Sequence, residues 1–159
     1  MGQSVLMEAG EGHAVSLGAT EVTFKVRSDD AAGASCVEFA AAPGFDTGLH
    51  VHRTLEETFY VLDGEFELHV GDETLRGRRG SVMFVPPGTP HSFGNPTDAP
   101  ARLLLVMSPS GHDRYFVELA EILAGGRPDP EAIGALRERY ETEQLSPLVP
   151  GAEPQAAAR

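Results

Sequence analysis

The sequence predicts an all-β chain that ends in two short helices. Three observations predict this. Apolar and polar residues alternate with the period of a half-buried strand, most cleanly at Val22–Arg27 and Glu65–Val70. Glycine and proline punctuate the chain at short intervals as far as Pro109. Beyond Pro109 the composition shifts and apolar residues fall at helical spacing.

Taken in order, residues 14 to 27 read as two short strands, with Val22, Phe24 and Val26 on the buried face and Thr23, Lys25 and Arg27 on the other. His13, at a glycine-rich edge, reads as a surface residue, and Ser28 to Gly33 as a polar turn. A strand over 35–42 sets Val37 and Phe39 against Cys36 and Glu38; no activating pattern surrounds Cys36, which reads as a packing residue. Thr58 to Leu62 is apolar on both faces. With Glu57 pointing inward, Phe59 and Val61 follow it, and Tyr60 and Leu62 point outward and need a cover. In 65–70 the same parity puts Phe66, Leu68 and Val70 inside and His69 outside. Gly71-Asp72 makes a hairpin turn, Thr74 to Arg76 returns, and Arg76, Arg78 and Arg79 form a solvated cluster that offsets nearby acids. Ser81 to Val85 reads as a buried strand, Pro86 to Pro90 as a rigid turn, and His91–Gly94 and Ala101–Met107 as the last strands.

The first helix runs over 113–124, with Phe116, Leu119, Ala120 and Leu123 on one face, His112-Asp113 as its entry and Gly125-Gly126 as its stop. Asp129 caps the second, with Pro130 at its first position; Ile133, Leu136 and Tyr140 line one face, and Arg137 and Glu141 are spaced as an i,i+4 pair. The chain thus divides into N-terminal barrel strands (1–34), a core (35–108), C-terminal helices packing on the barrel (109–145) and a disordered tail rich in proline and alanine (146–159).

Chemistry concentrates between Gly44 and Asn95. One block carries Gly44, His50, His52, Glu57 and Gly64; the next carries Gly80, Pro86, Gly88, His91 and Asn95. His50 and His52, two apart on a strand, share a face and can grip one cation. Glu57 comes from the following strand and His91 from a third. Glu57 is preferred to Glu56 because only Glu57 keeps the spacing to the glycine of the Asp63-Gly64 turn. Imidazoles suit zinc, copper, iron and nickel; the carboxylate adds a harder, anionic ligand that tolerates manganese and iron. The cofactor expected is one divalent transition metal (Fe, Mn, Ni, Co, Cu or Zn). Four protein ligands on an octahedral ion leave two positions for water, substrate or dioxygen.

Both blocks resemble the two motifs of the cupin superfamily at every signature position, over about residues 35 to 108. The resemblance implies a jelly-roll-like cupin β-barrel of roughly nine to eleven strands, with His50, His52, Glu57 and His91 binding the metal inside it. By parity, Phe59, Met83, Phe93 and Met107 are expected to line an apolar substrate pocket. The entry Thr23-Phe24-Lys25-Val26, the phrase Glu57-Thr58-Phe59-Tyr60-Val61-Leu62 and the acidic helical tail resemble small single-domain, quercetin-dioxygenase-like cupins. That group implies a dioxygenase of a phenolic or enolic, flavonol-like substrate, with Glu57 as catalytic base as well as ligand. A non-redox isomerase, cyclase or decarboxylase needs the same residues without oxygen, and a small-molecule-binding module needs no catalysis at all.

Composition bounds the partners. A net charge of −12 removes the basic footprint of nucleic-acid binding. The second helix, with Arg137 and Arg139 against Glu131, Glu138, Glu141 and Glu143, reads as a packing element and not a DNA reader. No apolar run reaches membrane-spanning length, the first residues lack a signal-peptide pattern, and Cys36 is the single cysteine; the expectation is a cytoplasmic protein. Outward Tyr60 and Leu62 lead to the expectation of a homodimer.

Overall fold

The computed structural model describes residues 4–8, 10–126 and 128–152. Its strands are β1 (His13–Leu17), β2 (Thr20–Val26), β3 (Ser35–Ala41), β4 (His50–His52), β5 (Glu56–Asp63), β6 (Glu65–Val70), β7 (Glu73–Arg78), β8 (Val82–Val85), β9 (His91–Gly94) and β10 (Ala101–Ser108). Helices α1 (Asp113–Ala124) and α2 (Pro130–Arg139) follow, and a short strand, β11 (Thr142–Gln144), comes after them. The strands form two antiparallel sheets, β1-β2-β3-β10-β5-β8 and β11-β4-β9-β6-β7. This is the jelly-roll arrangement expected, with two sheets enclosing one core.

Period-two alternation holds the core together. Val22, Phe24, Val37, Phe39, Phe59, Val61, Phe66, Leu68, Leu103 and Leu105 are all buried between the sheets. On β5 the inward set is Glu57, Phe59 and Val61, whereas Glu56 and Tyr60 are exposed. His69 lies on the outer face and bonds the Thr74 hydroxyl at 2.9 Å. Burial pushes the Cys36 thiol up, against the opposing pull of Lys25, consistent with an inert packing residue.

Turn residues fix the frame of the site. The side-chain amide of Asn95 donates to Ala41 O, Ala42 O and Ala99 O at 3.2, 3.2 and 2.7 Å, and its Oδ1 accepts from the amide of Thr97 at 3.0 Å. One side chain thereby ties the ends of β3, β9 and the turn before β10. The amide of Gly88 donates to the carbonyl of His52 at 2.7 Å, so the proline turn of one block is anchored on the histidine strand of the other. Gly48 has φ +68°, and a Cβ there would stand 2.5 Å from the carbonyls of Ser146 and Pro147. Only glycine lets the C-terminal chain approach so closely.

Gly125 stands at the end of α1 and Asp129 at the start of α2, as expected. Asp129 accepts from the amide of Glu131 at 3.0 Å, with Pro130 behind it. At the start of α1 the buried Asp113 carboxylate takes the amide and hydroxyl of Ser28, each at 3.1 Å, which ties the helix to the loop after β2. Phe116 and Leu119 of α1 and Leu136 of α2 turn inward.

Four expectations need correction. Ser81–Val85 is not a buried strand: β8 is an edge of its sheet, with Val82 63% and Phe84 52% exposed and only Met83 and Val85 inside. Arg137 and Glu141 do not pair; Glu141 accepts from the Thr54 hydroxyl at 2.7 Å, and Arg139 pairs instead with Glu118. Residues 142–144 are a strand, not part of a helix end, because Glu141 adopts φ +51° and turns the chain back onto β4. Finally, residues 146–152 are not free tail. Ser146 donates to Leu49 O at 3.1 Å, Val149 to Asp46 O at 2.8 Å and Ala152 to Pro43 O at 2.8 Å, so this stretch follows the barrel edge. The rest of that tail, 153–159, lies outside the described residues.

Candidate metal centre

His50 and His52 project from β4, His91 from its neighbour β9, and Glu57 from β5 in the facing sheet. His50 and His91 are direct register partners, which brings their rings to 4.4 Å between centroids. One donor atom from each of the four residues lies within 4.8 Å of the others, and all four side chains are buried. Four donors at about 2.2 Å from a shared ion lie at most about 4.4 Å apart, so a small contraction closes the set.

The outer nitrogen of each imidazole is held. Nδ1 of His50 donates to Gly48 O at 2.8 Å, and Nδ1 of His91 donates to Thr89 O at 2.8 Å. Nδ1 of His52 meets the hydroxyl of Thr142 at 2.9 Å, and that hydroxyl itself donates to Tyr140 O at 3.2 Å, so it accepts from His52. All three rings therefore turn Nε2 towards the centre, the orientation that metal-binding histidines require.

The electrostatics agree. Burial, with further lowering by His91, takes His50 down to about 4, so it is neutral near pH 7. Burial also takes His52 down to about 4, against the opposing pull of the Glu57 charge. Burial pushes the Glu57 carboxyl up, but the His91 hydrogen bond and the imidazoles around it prevail and hold it at about 2. Burial pushes His91 down, yet its 2.8 Å bond to Glu57 Oε2 leaves it raised overall. With a carbonyl on Nδ1 and a carboxylate on Nε2, both nitrogens of His91 face acceptors, which favours its protonated form. Three imidazoles and one carboxylate become a cation site with Nε2 of His91 free of its proton. The donor set fits a divalent transition metal.

Above this floor opens a cavity of about 710 Å³. Phe39 of β3, Phe93 of β9 and Phe45 of the turn between β3 and β4 form one wall. Helix α1 supplies another, with His112, Tyr115 and Phe116. Of the expected pocket residues only Phe93 lines this space. Phe59 lies behind it in the core, 5.0 Å between rings, Met107 is wholly buried, and Met83 packs beside Gly77. Strand parity gives the inward direction but not how far along the barrel the interior is filled.

The sequence marks His112 as a helix entry, and the structure gives it a further place. It is 7% exposed, and its ring stands 4.8 Å from that of His52 and stacks on Tyr115 at 4.9 Å. It makes no side-chain cap for α1, and its ring nitrogens have no hydrogen-bond partner among the described residues. Its position beyond the two motif blocks left no spacing signal by which to find it.

The fold and site define a β-barrel protein with a buried three-histidine, one-glutamate centre between its sheets. The chain belongs to the cupin superfamily: residues 37–107 match the cupin domain model, and His50, His52, Glu57 and His91 resemble a cupin metal site. The chain is 33% identical over 89 residues to an uncharacterised protein of Methanocaldococcus jannaschii, a match that covers 56% of this chain and 68% of that one. It is 31% identical over 68 residues to the tetracenomycin polyketide synthase protein TcmJ of Streptomyces glaucescens, covering 43% of this chain and 46% of TcmJ. Among solved structures, the polyketide cyclase RemF of Streptomyces resistomycificus superposes with a TM-score of 0.60 at 24% identity, over 68% of this chain and 81% of RemF, a likeness of fold. No helix among the described residues is long and apolar enough to cross a membrane.

Proposed function

We propose that the chain is a metal-dependent enzyme acting on a small ring-bearing molecule with an enolic or phenolic hydroxyl, with Glu57 as the base. The observation that carries this reading is the place of Glu57: it is the sole acid among the described residues lining the cavity, and it sits on the floor beside three imidazoles. A bound divalent ion would polarise a substrate oxygen and make its hydroxyl more acidic. Glu57, held near 2, is ionised at neutral pH and has a lone pair to receive that proton, but it is a weak base, so the hydroxyl must be acidified first. The phenylalanine wall orients a ring by stacking and excludes water from the floor.

A cyclisation or isomerisation by proton transfer is the leading form of this reading. The similarity to TcmJ and to the polyketide synthase CurC of Streptomyces cyaneus (33% identical over 67 residues) supports a polyketide-like substrate, and the polyketide cyclase RemF has the same fold. A dioxygenase reaction is the second form: His50, His52, Glu57 and His91 would equally hold a redox-active ion, which would supply the oxygen chemistry. Metal-reconstituted protein incubated with phenolic and enolic polyketide-like compounds, under air and under argon with oxygen uptake followed, separates them. Turnover under argon supports proton-transfer chemistry; turnover only with oxygen uptake supports the dioxygenase. Tight binding without turnover in either atmosphere overturns the enzyme reading and leaves a binding module.

A further inference from the structure

Arg137 is set apart by its place. Like Arg27, Arg53, Arg78 and Arg79 it makes no ion pair among the described residues. Its Nε is buried without a hydrogen-bond partner. It lines the metal-centre cavity and is the only lysine or arginine among the described residues that does so. Leu136, wholly buried, anchors α2, and Ile133, one turn before Arg137, lines the same cavity, so this face of the helix is the one presented to it. Arg137 as a whole is half-buried, and a guanidinium nitrogen that gives up water without a partner is costly. Its planar donors match a carboxylate in two-pronged fashion. The one acid of the lining, Glu57, is occupied by His91 on the floor.

We propose that Arg137 binds a carboxylate of the small molecule that fills this cavity. The substrate is then a ring-bearing acid: one end meets the floor of His50, His52 and Glu57, the apolar body lies against Phe39, Phe93 and Tyr115, and the carboxylate pairs with Arg137 on the α2 wall. This rests on the reading that the cavity takes substrate at the metal centre, and it narrows the substrate class of that same site. It also gives the C-terminal helices a recognition role in addition to packing.

The test uses binding and needs no turnover. The full-length chain, loaded with redox-inert zinc, is titrated calorimetrically at pH 7.5 and low salt with 2-naphthoate and with its uncharged counterpart 2-naphthol. Wild type is expected to bind 2-naphthoate about tenfold more tightly, the scale of one charge-assisted hydrogen-bond pair. Arg137→Gln should erase that preference while leaving 2-naphthol affinity unchanged, and Arg137→Lys should keep part of it. A preference that survives Arg137→Gln places the carboxylate on the metal floor and overturns the proposal. So does equal weakening of both probes, which marks a structural role, or the lack of any preference in wild type, including no binding of either probe. Melting temperatures of the variants check that the fold is intact. Failure of the enzyme reading shows as absent turnover with the Arg137-dependent preference intact, so the two can be told apart.

Discussion

Nδ1 of His52 lies 2.9 Å from the hydroxyl of Thr142, and the two residues are register partners of β4 and β11. A strand formed after both helices therefore sets the tautomer of a ligand in the core. Partners of this kind are typically worth 10–100-fold in metal affinity. Thr142→Val should weaken metal binding by about that factor, and Thr142→Ser should not. Competition with a chromogenic chelator measures it; wild-type affinity in the valine variant removes the role.

Elemental analysis should find about one metal per chain in wild type, and much less in His91→Ala and Glu57→Ala. At a free concentration a thousand times its dissociation constant the metal adds about 4 kcal/mol of stability by mass action. A chelator should then lower the melting temperature of loaded wild type by several degrees and leave His50→Ala unmoved. Full, tight loading of both ligand variants would show that the ion is held elsewhere.

Metal uptake at a pH below the His91 value should release about one proton. His50 and His52, lowered to about 4, are already neutral at that pH and have none to give. Glu57, held near 2, is already ionised. His91 is raised and carries its Nε2 proton into the bond with Glu57, and this is the proton that leaves. The count should fall towards zero as the pH rises above the His91 value. Calorimetric titration in buffers of different ionisation heat reads it, and a release near three at pH 7 contradicts the assignment.

Glu57→Gln keeps an oxygen donor but takes no proton at neutral pH. Once a substrate is found, the variant should retain part of its metal and lose turnover per bound metal by about 10²–10⁴-fold. A rate within threefold of wild type removes the base role of Glu57.

We propose that the outer face of the six-stranded sheet pairs with a second copy of the chain. Tyr60 registers with Leu104 on one side and Val82 on the other, and Thr58 registers with Val106 and Phe84. Tyr60, Val82 and Phe84 are 43%, 63% and 52% exposed, and Leu104 and Val106 are only half-buried, so these apolar side chains form a continuous outward patch. Light scattering should give twice the 16.9 kDa chain mass at micromolar concentration, and Phe84→Glu should halve it. A wild-type mass near that of one chain rules the pairing out.

The sequence by itself determined the β-architecture, the inward side of β2, β3, β5 and β6, and the identity of the four clustered side chains. These depend on local rules: side chains alternate along a strand, and glycine and proline confine the backbone at turns. That is why Glu57 could be told from Glu56 and why His69 could be left out before any coordinates. The tertiary structure alone decided what surrounds the cluster. Thr142 reaches His52, the stretch around Pro147 closes over Gly48, and His112 comes to rest on the ring of His52 through the fold of a chain segment far away in sequence. No periodicity encodes such meetings. The same reason governs the cavity: Phe59 and Phe93 both point inward, but only packing along the barrel leaves open space beside one and none beside the other. Arg137 shows the limit most directly. Its spacing from Glu141 offered a surface pair, whereas the docking of α2 turned its side chain to the cavity and gave Glu141 to Thr54.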